Sequence, residues 1–482
     1  MPSSRATRGG GPSGQGDATV EPTLAAILRR FIAPRLAHGR RVCVALSGGL
    51  DSVVLLHALS RLRAAGVGCE LSAQHVQHGL SPHADAWVDS CQELCQRLDV
   101  PLAIARVQVP LGSGEGIEGA ARRQRQAVFA RCEADWLALA QHRDDQAETV
   151  LFRLLRGAGV RGAAGMPEER SQAAGPRLIR PLLGLSRATI AAYAAEQALS
   201  WVEDESNADL RLRRNHLRHE VLPCIAQQFP AAAQALARAA GHFAEAARLL
   251  DDLAAIDRSR VAGAHGRIDL RRFSLLSAAR ARNLLRHELL VAGMRAPETR
   301  WLDEALRQLA NADAASATCV GTVDGELHVY RDEIHVVRQR PAVPTVPLAW
   351  HGEAQLAWGA DRLSFALATG DGISRRLLAG DAVCLRTRGG GEALQPDPRR
   401  PRRSLRKLFQ EAGVPPWERN RLPLLCCGER VAWVAGFGVD AAFACAPGEA
   451  GIVVALHSGA QQRIEQGLGS PPGAARGGSS GR

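Results

Sequence analysis

Val42-Cys43-Val44-Ala45-Leu46 is a continuous apolar run that ends in Ser47-Gly48-Gly49-Leu50-Asp51-Ser52, and residues 53–59 then carry apolar side chains at helical spacing. The order is buried strand, glycine turn, helix. It constrains the chain more than any other stretch, because it commits the N-terminal half to a sheet that hands each strand on to a helix. A turn of this kind aims free backbone N–H groups and the positive end of a helix at one point, which suits a phosphate. Gly48 and Gly49 let the backbone approach a ligand closely. Ser47 and Ser52 add hydroxyl donors, and Asp51 can hold a magnesium ion or orient an attacking group.

Two other phosphate loops compete for the same reading. The Walker-type loop needs Gly-Lys-Ser/Thr at the helix start, and the single lysine of the chain is Lys407. The dinucleotide fingerprint needs Gly-x-Gly-x-x-Gly, which Gly48-Gly49 does not supply. Ser-Gly-Gly-x-Asp-Ser remains, and it resembles the pyrophosphate loop of enzymes that split ATP to AMP and adenylate a carbonyl oxygen.

Strands are expected at residues 70–76, 102–109, 136–140 and 178–183, between helices at 84–98, 118–132, 144–156 and 187–198. This alternation predicts an α/β fold with a parallel sheet covered on both faces. Ligands of such sheets sit beyond the carboxyl ends of the strands, where the loop at Ser47 lies. Past residue 228 the pattern becomes helical. Helices are expected at 231–256, 275–291 and 299–309, with Leu236, Phe243 and Leu250 on one buried face of the first. Two β-like runs follow at 317–323 and 327–331. Pro341, Pro344 and Pro347 mark a linker, and beyond it short strands surround one helix at 403–412.

A second polar constellation, Gln141-His142-Arg143-Asp144-Asp145-Gln146-Ala147-Glu148, opens the helix after the fourth strand. Asp144 and Asp145 stand four and three residues before Glu148, so these carboxylates share a helix face and can bind magnesium or take a proton. Capping and dipole complementarity explain the same residues without chemistry. Glu118, Arg122 and Arg125 form a further polar face, on which an arginine can hold a phosphate or neutralise transition-state charge. Residues 201–223, with Asp204, Ser206, Asn207, Asp209, Arg214, Asn215 and Arg218, are too polar for a core and too patterned for a linker.

A formal charge of +11 and a pI near 9.6 call for an acidic partner, nucleic acid above all. Between Arg386 and Arg421 nine arginines and Lys407 face four acidic residues, and Arg399, Arg400, Arg402 and Arg403 lead into the helix that carries Lys407. That cluster reads as a grip on an RNA backbone. Eleven scattered cysteines do not form a secreted disulfide framework. No C-x-x-C occurs, which weighs against sulfur-inserting enzymes. His75, His78 and His83 lack a thiol or carboxylate at metal spacing. No apolar run is long enough to cross a bilayer, and the first twenty residues have no apolar signal core, so a cytoplasmic protein without membrane contact is expected.

Together these segments resemble the tRNA(Ile)-lysidine synthases in their long form. The resemblance rests on Ser47–Ser52, His75-Val76-Gln77-His78-Gly79-Leu80, residues 118–125, residues 142–149 with Arg156-Gly157-x-Gly159, Arg180-Pro181-Leu182-Leu183 and residues 201–218. Near the C-terminus it extends to Leu405-Arg406-Lys407-Leu408-Phe409-Gln410, Val414-Pro415-Pro416-Trp417 and Arg421-Leu422-Pro423-Leu424. Departures from the family pattern fall at Gln77, Ser81, Gly119, Gln126 and Leu212.

The resemblance implies a pyrophosphate-loop ATP-binding domain over residues 21–226, a mainly helical tRNA-binding domain over 227–340, a linker at 341–348 and a small α+β tRNA-binding domain over 349–458. Disordered ends at 1–20 and 459–482 complete the layout. It implies ATP and Mg2+ as cofactors, free L-lysine and a tRNA(Ile) with a CAU anticodon as substrates, and it leaves monomer or homodimer open. The runner-up is a related tRNA thiolase. ATP is assigned to Ser47, Gly48, Gly49, Leu50, Asp51 and Ser52, and Mg2+ to Asp51 and Asp145. Asp51, Asp144, Asp145, Glu148 and Arg122 are the catalytic candidates. Arg214, Arg218, Arg399, Arg400, Arg402, Arg403 and Lys407 are the tRNA-binding candidates.

Overall fold

A computed structural model describes residues 24–36, 40–79, 81–110, 116–172, 174–205, 209–263, 266–312 and 318–457, with residues 116–118 described for backbone alone. The expected disordered ends, Leu80, Ser206, Asn207 and the Glu118 side chain lie outside the described residues. The chain divides into two compact units, residues 1–250 and 251–482.

In the first unit the elements run α1 (Leu24–Leu36), β1 (Arg40–Ala45), α2 (Leu50–Ala64), β2 (Cys69–Gln77), α3 (Ala84–Arg97), β3 (Leu102–Arg106) and α4 (Gly116–Phe129). They continue with β4 (Trp136–Ala138), α5 (Arg143–Leu154), α6 (Val160–Ala163), β5 (Glu169–Arg170), β6 (Arg177–Ile179) and α7 (Arg187–Glu196). The sheet order is β3-β2-β1-β4-β6-β5. All pairings are parallel except the edge pair β5–β6, which runs antiparallel and was not legible as a strand.

The chain winds outward from β1 through β2 to β3, then returns to the other side of β1 with β4. The switch point is therefore the gap between the carboxyl ends of β1 and β4, where open α/β sheets bind ligands. The turn at Ser47 leaves β1 there, and the acidic helix α5 opens after β4. Alternating residues of β1 face opposite layers: Val42 and Val44 join the main core with Leu55, Leu56, Ile179 and Ile190, while Cys43 packs with Leu137 and Leu178 on the other face. Helix α2 is buried almost all round through Val53, Val54, Leu55, Leu56, Ala58, Leu59 and Leu62, as its apolar sequence requires.

The polar stretch after α7 forms α8 (Arg213–His216), a π-turn (Leu217–Val221) and α9 (Leu222–Gln228), followed by α10 (Ala232–Arg260). On α10, Leu236, Phe243 and Leu250 are only half-buried; the fully buried positions of that stripe are Ala240, Ala254 and Asp257.

The second unit continues with β7 (Ile268–Asp269), α11 (Leu270–Ser274), α12 (Ala278–Val291), α13 (Thr299–Ala310), β8 (Cys319–Gly321), β9 (Gly325–Tyr330) and β10 (Glu333–Arg338). The helices pack on a four-stranded antiparallel sheet, order β7-β10-β9-β8, through Leu284, Leu285, Leu289, Leu302, Leu327, Val329 and Ile334. This sheet is larger than the two β-like runs foreseen. The β9–β10 hairpin turns on Arg331 and Asp332, both at positive φ (52° and 58°), which is a type I′ geometry without its usual Asn or Gly.

Beyond the prolines lie β11 (Leu348–Ala349), β12 (Gln355–Trp358), β13 (Asp361–Thr369), β14 (Ile373–Ser374), α14 (Arg375–Leu378), β15 (Val383–Arg386), β16 (Ala393–Leu394) and β17 (Arg403–Ser404). Then come α15 (Leu405–Glu411), α16 (Pro416–Arg419), β18 (Leu424–Cys427), β19 (Arg430–Val434), β20 (Gly438–Val439) and β21 (Ala450–His457). They form sheets of five, four and two strands around Trp358, Phe409, Leu424 and Leu425.

The turn after β1 depends on Gly48. Its φ is +89°, and a Cβ there would meet Val202 Cγ2 at 2.9 Å and Cys91 Sγ at 3.2 Å. Gly49 has φ −76°, and a Cβ there meets nothing closer than 3.6 Å. Gly48→Ala is therefore expected to destabilise the first unit by on the order of 1–3 kcal/mol, with Gly49→Ala close to wild type. Denaturant midpoints of the two variants test this, and equal midpoints would remove the backbone constraint.

Candidate active site

The glycine turn is held by its own side chains. Ser47 N–H donates to Ser52 Oγ (3.2 Å), Gly49 N–H donates to Ser47 Oγ (3.4 Å), and Ser52 Oγ donates to the Gly49 carbonyl (2.9 Å). Val202 N–H donates to the Gly48 carbonyl at 3.0 Å, so the stretch after α7 braces the turn. His75 Nδ1 lies 2.9 Å from the Leu46 carbonyl, to which it donates from inside the sheet, and burial lowers its pKa so that it stays neutral. That histidine fixes the strand end. The N-cap Gly49 offers no side chain, and the N–H groups of Leu50 and Asp51 find no acceptor among the described residues. These are the donors a pyrophosphate needs.

Helix α5 opens beside this turn with an uncommon cap. Asp144 N–H donates to His142 Nδ1 (3.2 Å), and His142 N–H donates to Asp145 Oδ2 (3.1 Å), a reciprocal capping box. Accepting at Nδ1 places the proton of neutral His142 on Nε2, which lies 3.7 Å from Asp51 Oδ2 and 3.4 Å from Asp145 Oδ2. Burial alone would lower the His142 pKa, but Asp144, Asp145 and Asp51 together raise it above the ordinary value. Sequence reading placed His142 inside the acidic stretch without giving it a role. The signal was there: a polar residue at the cap with Asp three positions on.

Asp51 is the least compensated carboxylate of the group. Burial raises its pKa, and His142 and Arg187, whose Nη1 lies 3.7 Å from Asp51 Oδ2, pull the other way. Its Oδ1 is buried without a hydrogen-bond partner. An oxygen in that state fits a cation or a donor brought by a ligand, so the residues present suit magnesium at Asp51. Asp145 does not share that freedom: Oδ2 accepts from His142, and Oδ1 accepts from Arg218 Nη2 at 2.8 Å. Of the two carboxylates expected at magnesium, Asp51 and Asp145, Asp51 is the one with an unpartnered buried oxygen.

Asp144 and Glu148 are likewise engaged. Asp144 Oδ2 accepts from the Arg187 backbone N–H (2.9 Å) and lies 3.5 Å from His142 Nδ1, and its pKa falls to about 2, with the His142 contact the largest cause. It is anchored as an anion and is a weak proton acceptor. Glu148, only 2% exposed, is clasped by Arg218 (Nε to Oε1 2.6 Å, Nη2 to Oε2 3.0 Å) and by Arg214 (Nε to Oε2 3.1 Å). Arg214 and Arg218, expected on the tRNA, here face the acidic helix one turn apart. Their spacing across the π-turn lets both reach the same carboxylate.

Arg122 lies exposed on α4, where its charge, with burial, lowers the pKa of Arg153 and Arg180. Buried Arg180 donates to Gln141 Oε1 (2.8 Å) and the Pro167 carbonyl (2.7 Å), while Arg153 donates to the carbonyls of Gly162 and Gly165. Burial, more than its cationic neighbours, brings Arg180 down to about 10. These arginines give the ground beside α5 a positive charge that the sequence did not place.

On the C-terminal region, Arg399, Arg400 and Lys407 are exposed. Arg402, also exposed, is tied to the fold: its Nη2 donates at 2.6 Å to Asp440, a fully buried carboxylate that also accepts from Gln395 and Ala442 N–H. Arg403 pairs with Glu411 and, with Arg331, Lys407 and Gln410, lines a shallow pocket. Arg402 thus serves the fold through Asp440 while remaining part of the exposed basic cluster.

Comparison with known proteins accords with this geometry. A PP-loop domain family matches residues 20–225, a TilS substrate binding domain matches 268–335, and a TilS substrate C-terminal domain matches 383–456. The tRNA(Ile)-lysidine synthase of Aromatoleum aromaticum is 47% identical over 426 residues, spanning 88% of this chain and 99% of the relative. Its counterpart in Coxiella burnetii is 36% identical and spans 86% and 93%. Among solved structures, a U34-tRNA thiolase from Methanococcus maripaludis aligns with 46% of this chain and 78% of its own at 17% identity, with a TM-score of 0.40. With identity this high over nearly the whole length of its relatives, the chain belongs to the tRNA(Ile)-lysidine synthase family.

Proposed function

We infer that this chain uses ATP to join lysine to C2 of the wobble cytidine of a tRNA(Ile) with a CAU anticodon. The observation that carries the reading is the unpartnered pair of turn N–H groups beside the unpartnered Asp51 oxygen, within a family of lysidine synthases. The cytidine 2-carbonyl oxygen is a poor leaving group. It attacks the α-phosphate of ATP, and pyrophosphate departs into the N–H groups of Leu50 and Asp51 at the α2 N-terminus. Magnesium, held by Asp51, would spread the charge of the phosphates. The lysine amine then attacks C2 and AMP leaves.

That amine arrives as an ammonium with a reference pKa of about 10.4, so the site must draw its proton away. Asp144 is held ionised, and both oxygens of Glu148 are occupied by Arg214 and Arg218. Neutral His142 already bears its proton on Nε2, between Asp51 and Asp145. A second proton must therefore enter at Nδ1, displacing the Asp144 N–H and facing Asp144 Oδ2 at 3.5 Å. Against burial, the three carboxylates raise its pKa and favour that charged ring. Arg214 and Arg218 set the position of the acidic helix. The exposed cations Arg399, Arg400 and Lys407 hold the tRNA backbone, with Arg403 at the edge of that surface.

Incubation with ATP, labelled lysine and unmodified tRNA(Ile) transcript is expected to place label at the wobble base and release AMP and pyrophosphate. Release of ADP and phosphate, or label dependent on a sulfur donor, would reject the reading.

Asp51→Asn should lower lysine incorporation by roughly 100-fold or more. The same variant should melt at a higher temperature than wild type at pH 7 in the absence of ATP, because the folded state disfavours ionised Asp51. The sign follows from a folded pKa raised above the unfolded one: the penalty is present when the group is ionised and vanishes as pH falls through the raised value. A variant that melts lower at pH 7 would make Asp51 a structural ion-pair member instead.

Replacing Arg399, Arg400 and Lys407 by alanine should flatten the dependence of log affinity on log salt by roughly 0.7–0.9 for each phosphate that the surface no longer neutralises. Arg402→Ala should instead lower the melting temperature by stranding Asp440. An unchanged salt slope in the triple variant would take RNA off this surface.

A further inference from the structure

Beyond the catalytic centre, the register of β8 on β9 sets Cys319 directly opposite His328 and Gly321 opposite Glu326. Residues two apart on a strand share a face, so Cys319, Glu326 and His328 meet on one side of the sheet. Cys319 Sγ is 3.9 Å from His328 Nε2, which is 2.7 Å from Glu326 Oε2, and all three ligand atoms lie within 4.8 Å of one another. Among the described residues, this is the one group of three such side chains brought so close.

The histidine is held in place from behind. Its ring stacks on Trp417 of α16, with centroids 4.0 Å apart and planes 18° apart, while His335, opposite His328 on β10, meets the same indole edge-on at 5.1 Å. Arg419 of α16 reaches back to the Tyr330 hydroxyl at 3.2 Å. Nε2 is therefore turned toward the exposed Cys319 and Glu326, on the side that solution reaches.

We propose that Cys319, Glu326 and His328 form a binding site for a zinc-like divalent transition ion, with water as the fourth ligand. A thiolate, an imidazole and a carboxylate are a donor set that Zn2+ takes and that Mg2+ or Ca2+ does not seek. Zinc bonds of about 2.0–2.3 Å set neighbouring ligand atoms roughly 3.3–3.7 Å apart in a tetrahedron. The contacts of 2.7 and 3.9 Å bracket that range, so shifts under about 1 Å complete the site. On binding, the Cys319 S–H bond gives way to a sulfur–metal bond and its proton passes to solvent. The His328 ring proton moves to Nδ1, freeing Nε2, and Glu326 exchanges its hydrogen bond for coordination. The ion would lock β8 to β9 and fix His328 against Trp417.

The test uses the tag-free full-length chain, stripped with EDTA and titrated with Co2+, then Zn2+. One equivalent of Co2+ should give a thiolate-to-cobalt charge-transfer band in the near ultraviolet with the visible absorption of a tetrahedral ion, and Zn2+ should bleach both. Cys319→Ser should abolish the charge-transfer band, Cys445→Ser should leave it intact, and Glu326→Gln should weaken affinity roughly tenfold or more. Zn2+ should raise the melting temperature of wild type but not of Cys319→Ser. No thiolate band in folded wild type, or a band that survives Cys319→Ser, would overturn the site.

Discussion

The buried charge of Glu148 is the constraint from which the active site is built. A carboxylate 2% exposed cannot stay ionised without cations at hand, and α5 supplies none on that face. The cations come from Arg214 and Arg218, 66 and 70 residues further along the chain. Once they are seated, Arg218 also reaches Asp145, which caps the backbone of His142, which in turn faces Asp51. One electrostatic need thus ties the segment after α7 to the two strand ends that flank the switch point. The hydrogen bond from Val202 to Gly48 anchors that same segment at its other end. Exchanging the cluster for apolar groups of equal volume could hold the fold together as well or better. What it would lose is the fixed orientation of His142 and Asp145.

Asp51 stands at the opposite extreme within the same few ångströms. The oxygens of Asp145 and Glu148 are met by His142, Arg214 and Arg218, while its own oxygen Oδ1 is buried and unpartnered. Such local cost is what a site retains when a ligand is to supply the missing contact. The division of labour among four acidic residues follows from environment alone: two are neutralised by arginine, one is pinned to a helix start, and one is left short of charge compensation.

The glycine turn, the alternation of strands and helices and the acidic start of α5 were legible because each is written in contiguous residues. Apolar period, turn glycine and carboxylate spacing are local properties. Arg214 and Arg218 were read as tRNA-binding candidates because a polar run looks the same whether it meets solvent, RNA or a buried glutamate. The ion pair of Arg402 was hidden for the same reason, its partner Asp440 lying 38 residues away. The β9–β10 hairpin escaped because Arg331 and Asp332 adopt a left-handed turn that glycine or asparagine usually announces. His142 was visible as a residue but not as a cap, since histidine seldom takes that position.

The second unit shows how far packing can override a linker signature. Pro341, Pro344 and Pro347 suggest two bodies joined by a tether, yet contacts on both sides of them close into one compact unit. Trp417 fills the space beside His328, His335 and Tyr330, and Arg340 pairs with Glu418 at the neighbouring position. Arg331, at the hairpin tip, bonds the Gln410 carbonyl on the helix that also presents Lys407. Aromatic stacking and charge-assisted bonds of this kind resist hinge motion, because each must break before the halves can turn. These contacts join the helix that presents Lys407 to the sheet that carries His328.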